Sequence, residues 1–576
     1  MSSARSQGTR ENSIMIGLGV LIGLATGYGA IACRWAIDAL RELIFGRAGD
    51  ISDLVTESGT PLLTLVLPAI GGLIVAPMVF YWAREAKGHG VPEVMEAISS
   101  RGGRIRPRVA VVKAIGSVIT IATGGSVGWE GPIIQIGAGF GSTIGQVLKV
   151  ARRRLRILVA CGAAAGIAAT FNAPIAGVIF SLEIFLGDLV LITFTPVVVA
   201  AVVATAVSYA HFGEHPVFNL AEHTYKLASV YEIPVYLLLG CVCAVGAVFF
   251  TRFVYFVEDM FDGLRVPVLL KPVLGGLGVG AIGIAMPQVL GVGYGTIGDT
   301  IGGNFSLQML LALFVVKILA TCLTIGSGGS GGIFAPALVA GALLGAGFGE
   351  VAHQVAPEWT AIPGVYAVVG MAAFVAGATH APISAILILF EMTGDYAIIL
   401  PLMIACVISS TVARLIFAES IYTLKLARRG ITFRLGRDIA VLRSLTVGEV
   451  MRRDPVAIQR GAGFDEVRRQ VLGESQHVYP VLGQDQKMEG IITLDELRAV
   501  LLDDSLKDVA IARDLESPCP HTFSPDDDLA KAHEVFAGSR IDEIPVLDAA
   551  GELVGMLWER DLRAAYQAAV TKGLHA

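Results

Sequence analysis

From about residue 13 to residue 417, apolar segments follow one another, broken by glycines, prolines or short charged loops. Many are shorter than the roughly 20 residues a straight membrane crossing needs, and glycines mark the breaks. That pattern predicts discontinuous helices meeting inside a bilayer. The stretch 13–44 is too long for a signal peptide and lacks a cleavage pattern, so it predicts a retained first membrane helix. From Thr432 onward charged residues are frequent, apolar runs shrink to strand length, and helical periodicity at 465–472 and 529–536 alternates with short strands. The expected fold class is an all-α polytopic membrane domain followed by a soluble α/β domain.

Both parts repeat internally. Asn172-Ala-Pro-Ile-Ala-Gly-Val-Ile-Phe-Ser-Leu-Glu183 resembles His380-Ala-Pro-Ile-Ser-Ala-Ile-Leu-Ile-Leu-Phe-Glu391, and the pentads 128–132 and 332–336 fall at a similar offset. Duplicated halves, often inverted, are a common plan for transporters, with the substrate site between them. In the tail, Ser475-Gln-His-Val-Tyr-Pro-Val481 followed by Gly490-Ile-Ile-Thr-Leu-Asp-Glu496 is echoed by Arg540-Ile-Asp-Glu-Ile-Pro-Val546 followed by Gly555-Met-Leu-Trp-Glu-Arg-Asp561. Two small pseudo-symmetric modules are expected there.

Composition agrees: 54% of the 576 residues are hydrophobic and 16% charged, so most of the chain must face lipid or buried protein. The 68 glycines suit helices that approach closely or break around a cavity. A net charge of -6 without a long basic run gives no support to nucleic-acid binding, and the Arg152, Arg153, Arg154, Arg156 cluster fits a cytoplasmic loop. The seven cysteines form neither a CxxC pattern nor a disulfide framework.

Four stretches carry candidate chemistry. In Gly125-Ser-Val-Gly-Trp-Glu-Gly-Pro132 an ionised Glu130 inside a membrane is costly, and Pro132 fits the first turn of a helix whose free amides can face an anion. A glutamate there competes with the anion, and protonation would release it; the alternative is a buried capping glutamate. Gly326-Ser-Gly-Gly-Ser-Gly-Gly-Ile-Phe-Ala-Pro336 is a glycine-rich turn entering a second helix. Several helix N-termini aimed at one point can hold an anion without a lysine. No P-loop is present, since Gly-Lys-Ser/Thr is missing. Gly328-Gly-Ser-Gly331 does match a short intramembrane serine hydrolase pattern, with Ser330 as nucleophile and His380 as base. In Lys87-Gly-His-Gly-Val-Pro-Glu93 the anion donor is either His89 or backbone amides such as that of Gly90. In Ile421-Tyr-Thr-Leu-Lys-Leu-Ala427, Tyr422 is an anion donor or an interfacial anchor.

Together, in order and spacing, these stretches strongly resemble the CLC family of chloride channels and chloride/proton antiporters over about residues 13 to 427. The resemblance implies that Glu130 is the gating glutamate, that Tyr422 coordinates chloride, and that the amides of Ile333 and Phe334 contact the ion. It also implies a homodimer with one pore per subunit and both termini cytoplasmic. Three positions depart from the family: His89 replaces a serine that influences anion preference, Trp129 replaces a basic residue, and Ile184 stands where proton-coupled members carry an internal glutamate. Isoleucine carries no proton, so passive conduction is favoured; the alternative is chloride/proton exchange with protons moving through water or Glu183.

The tail resembles tandem CBS modules, which bind adenosine nucleotides through Gly-x-x-Thr/Ser-x-x-Asp. Thr493 with Glu496 is a near match, whereas Asp561 keeps the acid and Trp558 replaces the hydroxyl. Regulatory ATP, ADP or AMP is expected at one good site, the alternative being modules that only dimerise. The expected organisation is a cytoplasmic tail (1–12), the transport domain (13–427), a linker (428–445), a first module (446–505), and a second module with the C-terminal tail (506–576). No metal, bound cofactor or catalytic chemistry is expected. Compact loops and short termini suggest a prokaryotic chain, hence the plasma (bacterial inner) membrane with the modules cytoplasmic.

Overall fold

The computed structural model describes residues 2–187, 191–214, 218, 232–431, 442, 445–473, 476–494, 497, 510–539 and 541–572. Glu496 and most of the 428–445 linker lie outside them. The chain divides into two compact units, residues 1–433 and 434–576.

The described part of the first unit is helical: α1 (Ser2–Phe45), α2 (Ile51–Ser58), α3 (Pro61–Pro77), α4 (Val91–Ser99), α5 (Pro107–Ala122), α6 (Glu130–Val147), α7 (Arg152–Phe171), α8 (Pro174–Phe180), α9 (Leu191–Phe212), α10 (Ile233–Gly263), α11 (Lys271–Ala285), α12 (Tyr294–Ile301), α13 (Leu307–Gly326), α14 (Phe334–Val355), α15 (Pro363–Thr379), α16 (Pro382–Thr393), α17 (Ile399–Ile416) and α18 (Thr423–Arg428). Among the described residues nine helices are long and apolar enough to cross a membrane. Large side chains such as Leu238, Val245, Phe256, Val315 and Val407 are exposed on them, as lipid contact demands. Proline opens α4, α5, α8, α11, α15 and α16, where a missing N–H costs nothing.

The sequence repeat is a structural repeat. α7 and α15 end on left-handed residues, Asn172 (φ 54°) and His380 (φ 59°), each followed by the Ala-Pro that starts the next helix. Within each half one glycine contact brings two helices together: a Cβ on Gly162 would lie 1.9 Å from the Gly137 carbonyl, and one on Gly370 would lie 2.5 Å from that of Gly341. Any side chain would push α6 from α7, or α14 from α15.

The halves also cap each other. Glu183, in the π-helical turn Ser181–Leu186 that continues α8, accepts from the Ile383 and Ser384 amides at 3.4 and 2.8 Å and from the Ser384 hydroxyl at 2.5 Å. Glu391 in α16 accepts from the Ile175 and Ala176 amides at 3.1 and 2.7 Å. Each carboxylate thus satisfies orphan donors at the start of the other half's helix.

In the second unit β1 (Ile458–Gln459), β2 (Val478–Leu482) and β3 (Met488–Thr493) form one sheet, and β4 (Glu543–Leu547) with β5 (Leu553–Trp558) another. The antiparallel pairs β2/β3 and β4/β5 match: Val481 faces Gly490 as Val546 faces Gly555, and the register shifts after each valine. Helices Phe464–Gly473 and Leu529–Gly538 pack beside the strands through Val467 and Val471, and through Leu529 and Phe536. Buried Glu543 ties the modules together by accepting from the His477 and Val478 amides at 2.8 and 3.0 Å.

Candidate anion pathway

The site is built from glycine turns held by buried lysines. Lys113 on α5 donates to the carbonyls of Ala86 (3.2 Å) and Gly88, fixing the turn before α4. Lys317 on α13 donates to those of Val289 and Gly291, both at 3.0 Å, fixing the turn before α12. Each lysine is fully buried and precedes Glu130 or Phe334 by the same number of residues. A buried ammonium is tolerated only when such donors are used, so each pins the link between a short 3-10 turn (Arg84–Ala86, Pro287–Val289) and the helix that follows.

Three glycine stretches then meet. Gly88 donates to the Gly329 carbonyl (3.3 Å), while Gly128 and Gly332 exchange amide bonds of 2.8 and 2.6 Å. A Cβ on Gly131 would lie 2.4 Å from the His89 carbonyl and 3.1 Å from Gly332 Cα. A Cβ on Gly90, at φ +87°, would lie 3.1 Å from the Gly131 carbonyl. The N-termini of α4, α6 and α14 therefore meet at one buried locus, and first-turn amides are the groups a helix leaves without an internal partner.

Glu130 opens α6 and is 1% exposed. Its Oε1 accepts a 2.6 Å hydrogen bond from the Tyr294 hydroxyl; its buried Oε2 lies against Gly128, where a Cβ would stand 2.0 Å away, and the carboxylate sits beside the backbone amides of Trp129 and Ala335. Ile333 caps α14 and Phe334 begins it, the Phe334 ring packing on Phe171 and Phe180. His89 is 2% exposed, its Nε2 3.3 Å from the Tyr255 hydroxyl and its ring 5.7 Å from that of Tyr422. Tyr255 in turn donates to the Ile421 carbonyl at 2.7 Å.

Tyr422 is the N-cap of α18, and α18 is clamped to α4. Arg429, just beyond its end, binds Glu93 at 2.9 and 3.0 Å and Glu96 at 2.6 Å, and Lys425 lies 3.3 Å from Glu93. The structure thus gathers Glu130, His89, Gly90, Ile333, Phe334 and Tyr422 around neighbouring helix ends. Ile184 is buried among apolar residues. Ser330 donates to the Ala86 carbonyl and pairs with Ser117, which occupies the hydroxyl that a hydrolase would place against a base.

In the second unit Asp561 is held by Arg452 at 2.7 and 3.3 Å, and that carboxylate pushes the guanidinium further into its charged form. Trp558 lies between the guanidinium groups of Arg452 and Arg560, 3.9 and 3.8 Å from its ring. Thr493 is half-buried at the end of β3.

Sequence reasoning overlooked Tyr294, Tyr255, Lys113 and Lys317. The lysines carried a signal, a cation at equal offsets inside two apolar segments. Gly291-Val-Gly293 before Tyr294 also echoes Gly88-His-Gly90.

Repeated helical halves with broken helices meeting around a buried glutamate follow the plan of a membrane transporter. Residues 71–414 match the voltage gated chloride channel family, and residues 447–503 and 512–568 match the CBS domain. The chain belongs to the CLC family. It is 37% identical over 428 residues to a putative chloride channel protein ClcB-like of Ralstonia nicotianae, covering 73% of this chain and 99% of that one. To an H(+)/Cl(-) exchange transporter ClcA of Vibrio parahaemolyticus it is 32% identical over 438 residues, covering 73% and 91%. Among solved structures it resembles a slow cyanobacterial Cl-/H+ antiporter (TM-score 0.65, 26% identity, 72% of this chain and 97% of that one). A eukaryotic CLC transporter shares the fold over 95% of this chain and 97% of its own (TM-score 0.64, 23% identity).

Proposed function

We propose that the membrane unit carries chloride along a path gated by Glu130. The observation that supports this best is a buried carboxylate between converging helix N-termini, with one oxygen held by Tyr294 and the group beside the backbone amides of Trp129 and Ala335. Unprotonated, it occupies the position of an anion and blocks the path. Protonation removes the charge that holds it there, the side chain leaves, and chloride takes its place against the Ile333 and Phe334 amides and the Tyr422 hydroxyl, with His89 and Gly90 toward the inner side. Binding through partial charges is weak enough for fast release.

Transport is passive conduction in this reading, because Ile184 is apolar and Glu183 is spent on the α16 amides. Chloride/proton exchange is the second reading, favoured by relatives named as H(+)/Cl(-) exchange transporters. The working unit is a homodimer with one path per subunit in the plasma membrane, the CBS pair is cytoplasmic, and ATP or a relative bound between the modules through Thr493, Glu496 and Asp561 modulates gating. The five-part organisation, with a first module from 446 and a second from 506, belongs to the same proposal.

Reconstitution in liposomes with a chloride gradient, following external chloride and pH together, tests this. Chloride efflux to its equilibrium limit without proton movement supports conduction; uphill proton movement driven by chloride establishes exchange; no chloride flux refutes the pathway.

A further inference from the structure

The hydrogen bonds around His89 fix which ring nitrogen carries its proton. Tyr255 has a single hydroxyl hydrogen, and it is directed at the Ile421 carbonyl at 2.7 Å. The 3.3 Å contact between His89 Nε2 and the Tyr255 oxygen must then be donated by Nε2–H. In the neutral ring this leaves Nδ1 as a bare lone pair, and Nδ1 is a buried atom with no partner. The ring stands beside Tyr422, next to Gly90 and the start of α4. A lone pair there repels an anion. An added proton converts the same atom into an N–H donor.

We infer that His89 is a proton-linked anion contact: its Nδ1 takes a proton from the aqueous phase as an anion binds beside it, and loses that proton as the anion leaves. The inference rests on the anion pathway proposed above. The charged groups around the ring supply the coupling. Lys113 binds the Gly88 carbonyl, the Lys425 ammonium lies 3.1 Å from where a Gly88 Cβ would be, and the Arg429 guanidinium adds a third positive charge on the α18 side. Glu93, the carboxylate on α4, is already paired with Lys425 and Arg429. Lys87 is drawn off to Glu258 and Asp262 on α10. Tyr255 and Tyr422 are neutral donors. Burial first, and then the three nearby cations, oppose a positive charge on the imidazole, and a bound anion offsets both, so proton and anion favour each other's binding reciprocally.

The test is chloride binding to the purified full-length protein by titration calorimetry between about pH 5.5 and about pH 8.5, the range where imidazoles change charge. Glu130→Gln is used throughout, so that the gate contributes no titration. The expected result is that Kd for chloride rises as the pH is raised, by up to about tenfold per unit on the steepest limb. Heats in two buffers of different ionisation enthalpy should report proton uptake with chloride. His89→Asn in the same background should bind chloride without pH dependence. Tyr255→Phe frees the neutral ring to place its proton on Nδ1, and should flatten the dependence by tightening binding at high pH. A constant Kd in Glu130→Gln, or an equal slope with His89→Asn, overturns the inference and leaves the pathway standing. No chloride binding at any pH, together with no chloride flux in liposomes, removes both.

Discussion

Tyr294 reaches from the first residue of α12 to donate a 2.6 Å hydrogen bond to Glu130 at the first residue of α6. Two helix starts from opposite halves thus meet, and in the proposed mechanism Glu130 is the gate and Tyr294 its latch. A hydrogen bond to a carboxylate contributes about 1.5–3 kcal/mol. Tyr294→Phe should therefore shift the gate toward its released state by about tenfold to a hundredfold, raising chloride efflux from liposomes at neutral pH. Efflux at the wild-type rate would show that Tyr294 does not hold the gate closed.

The reciprocal caps of Glu183 and Glu391 are structural, and their loss should appear as instability. Glu183→Gln and Glu391→Gln are each expected to cost about 1–2 kcal/mol, read as a lower melting temperature in detergent. Chloride flux normalised to folded protein should persist in both. If Glu183→Gln melted like wild type yet abolished proton movement, Glu183 would be a relay and not a cap.

Arg429 is the clamp between α18 and α4. Removing it leaves Glu93 and Glu96 short of a partner, and partial exposure moderates the cost to about 1–3 kcal/mol. Arg429→Ala should melt earlier and bind chloride more weakly, because Tyr422 loses its anchor. Unchanged chloride affinity in calorimetry would detach Tyr422 from the anion site.

In the second unit Arg452 occupies Asp561, the acid proposed to hold a ribose. An exposed ion pair is worth up to about 1 kcal/mol, so Arg452→Ala should tighten ATP binding by about fivefold if Asp561 contributes to a site. Titration calorimetry decides it: unchanged ATP affinity would place the site elsewhere, and absence of heat in wild type would leave the modules without a nucleotide role.

The architecture was legible because glycine and proline punctuate the chain at the places where helices break, and because Asn172-Ala-Pro and His380-Ala-Pro repeat in both sequence and backbone. The tail's strand pairs followed from the same kind of repeat around Pro480 and Pro545. Tyr294 escaped notice because its partner is 164 residues away and no local pattern marks a tyrosine as a donor. The Arg452–Asp561 pair escaped for the same reason, since the motif containing Asp561 says nothing of what covers it. Lys113 and Lys317 were within reach: a lysine in an apolar helix is costly enough to demand a reason, and two at equal offsets demand a shared one.

The central claim, that Glu130 closes an anion path, is tested most directly by chloride efflux from liposomes with wild type and Glu130→Ala at about pH 7.5 and about pH 5, the gate opening as its carboxylate takes a proton. The account predicts that wild-type efflux rises on acidification and that Glu130→Ala at the higher pH already exceeds wild type. An acid-insensitive wild type, or a Glu130→Ala variant no faster than wild type at the higher pH, would contradict it.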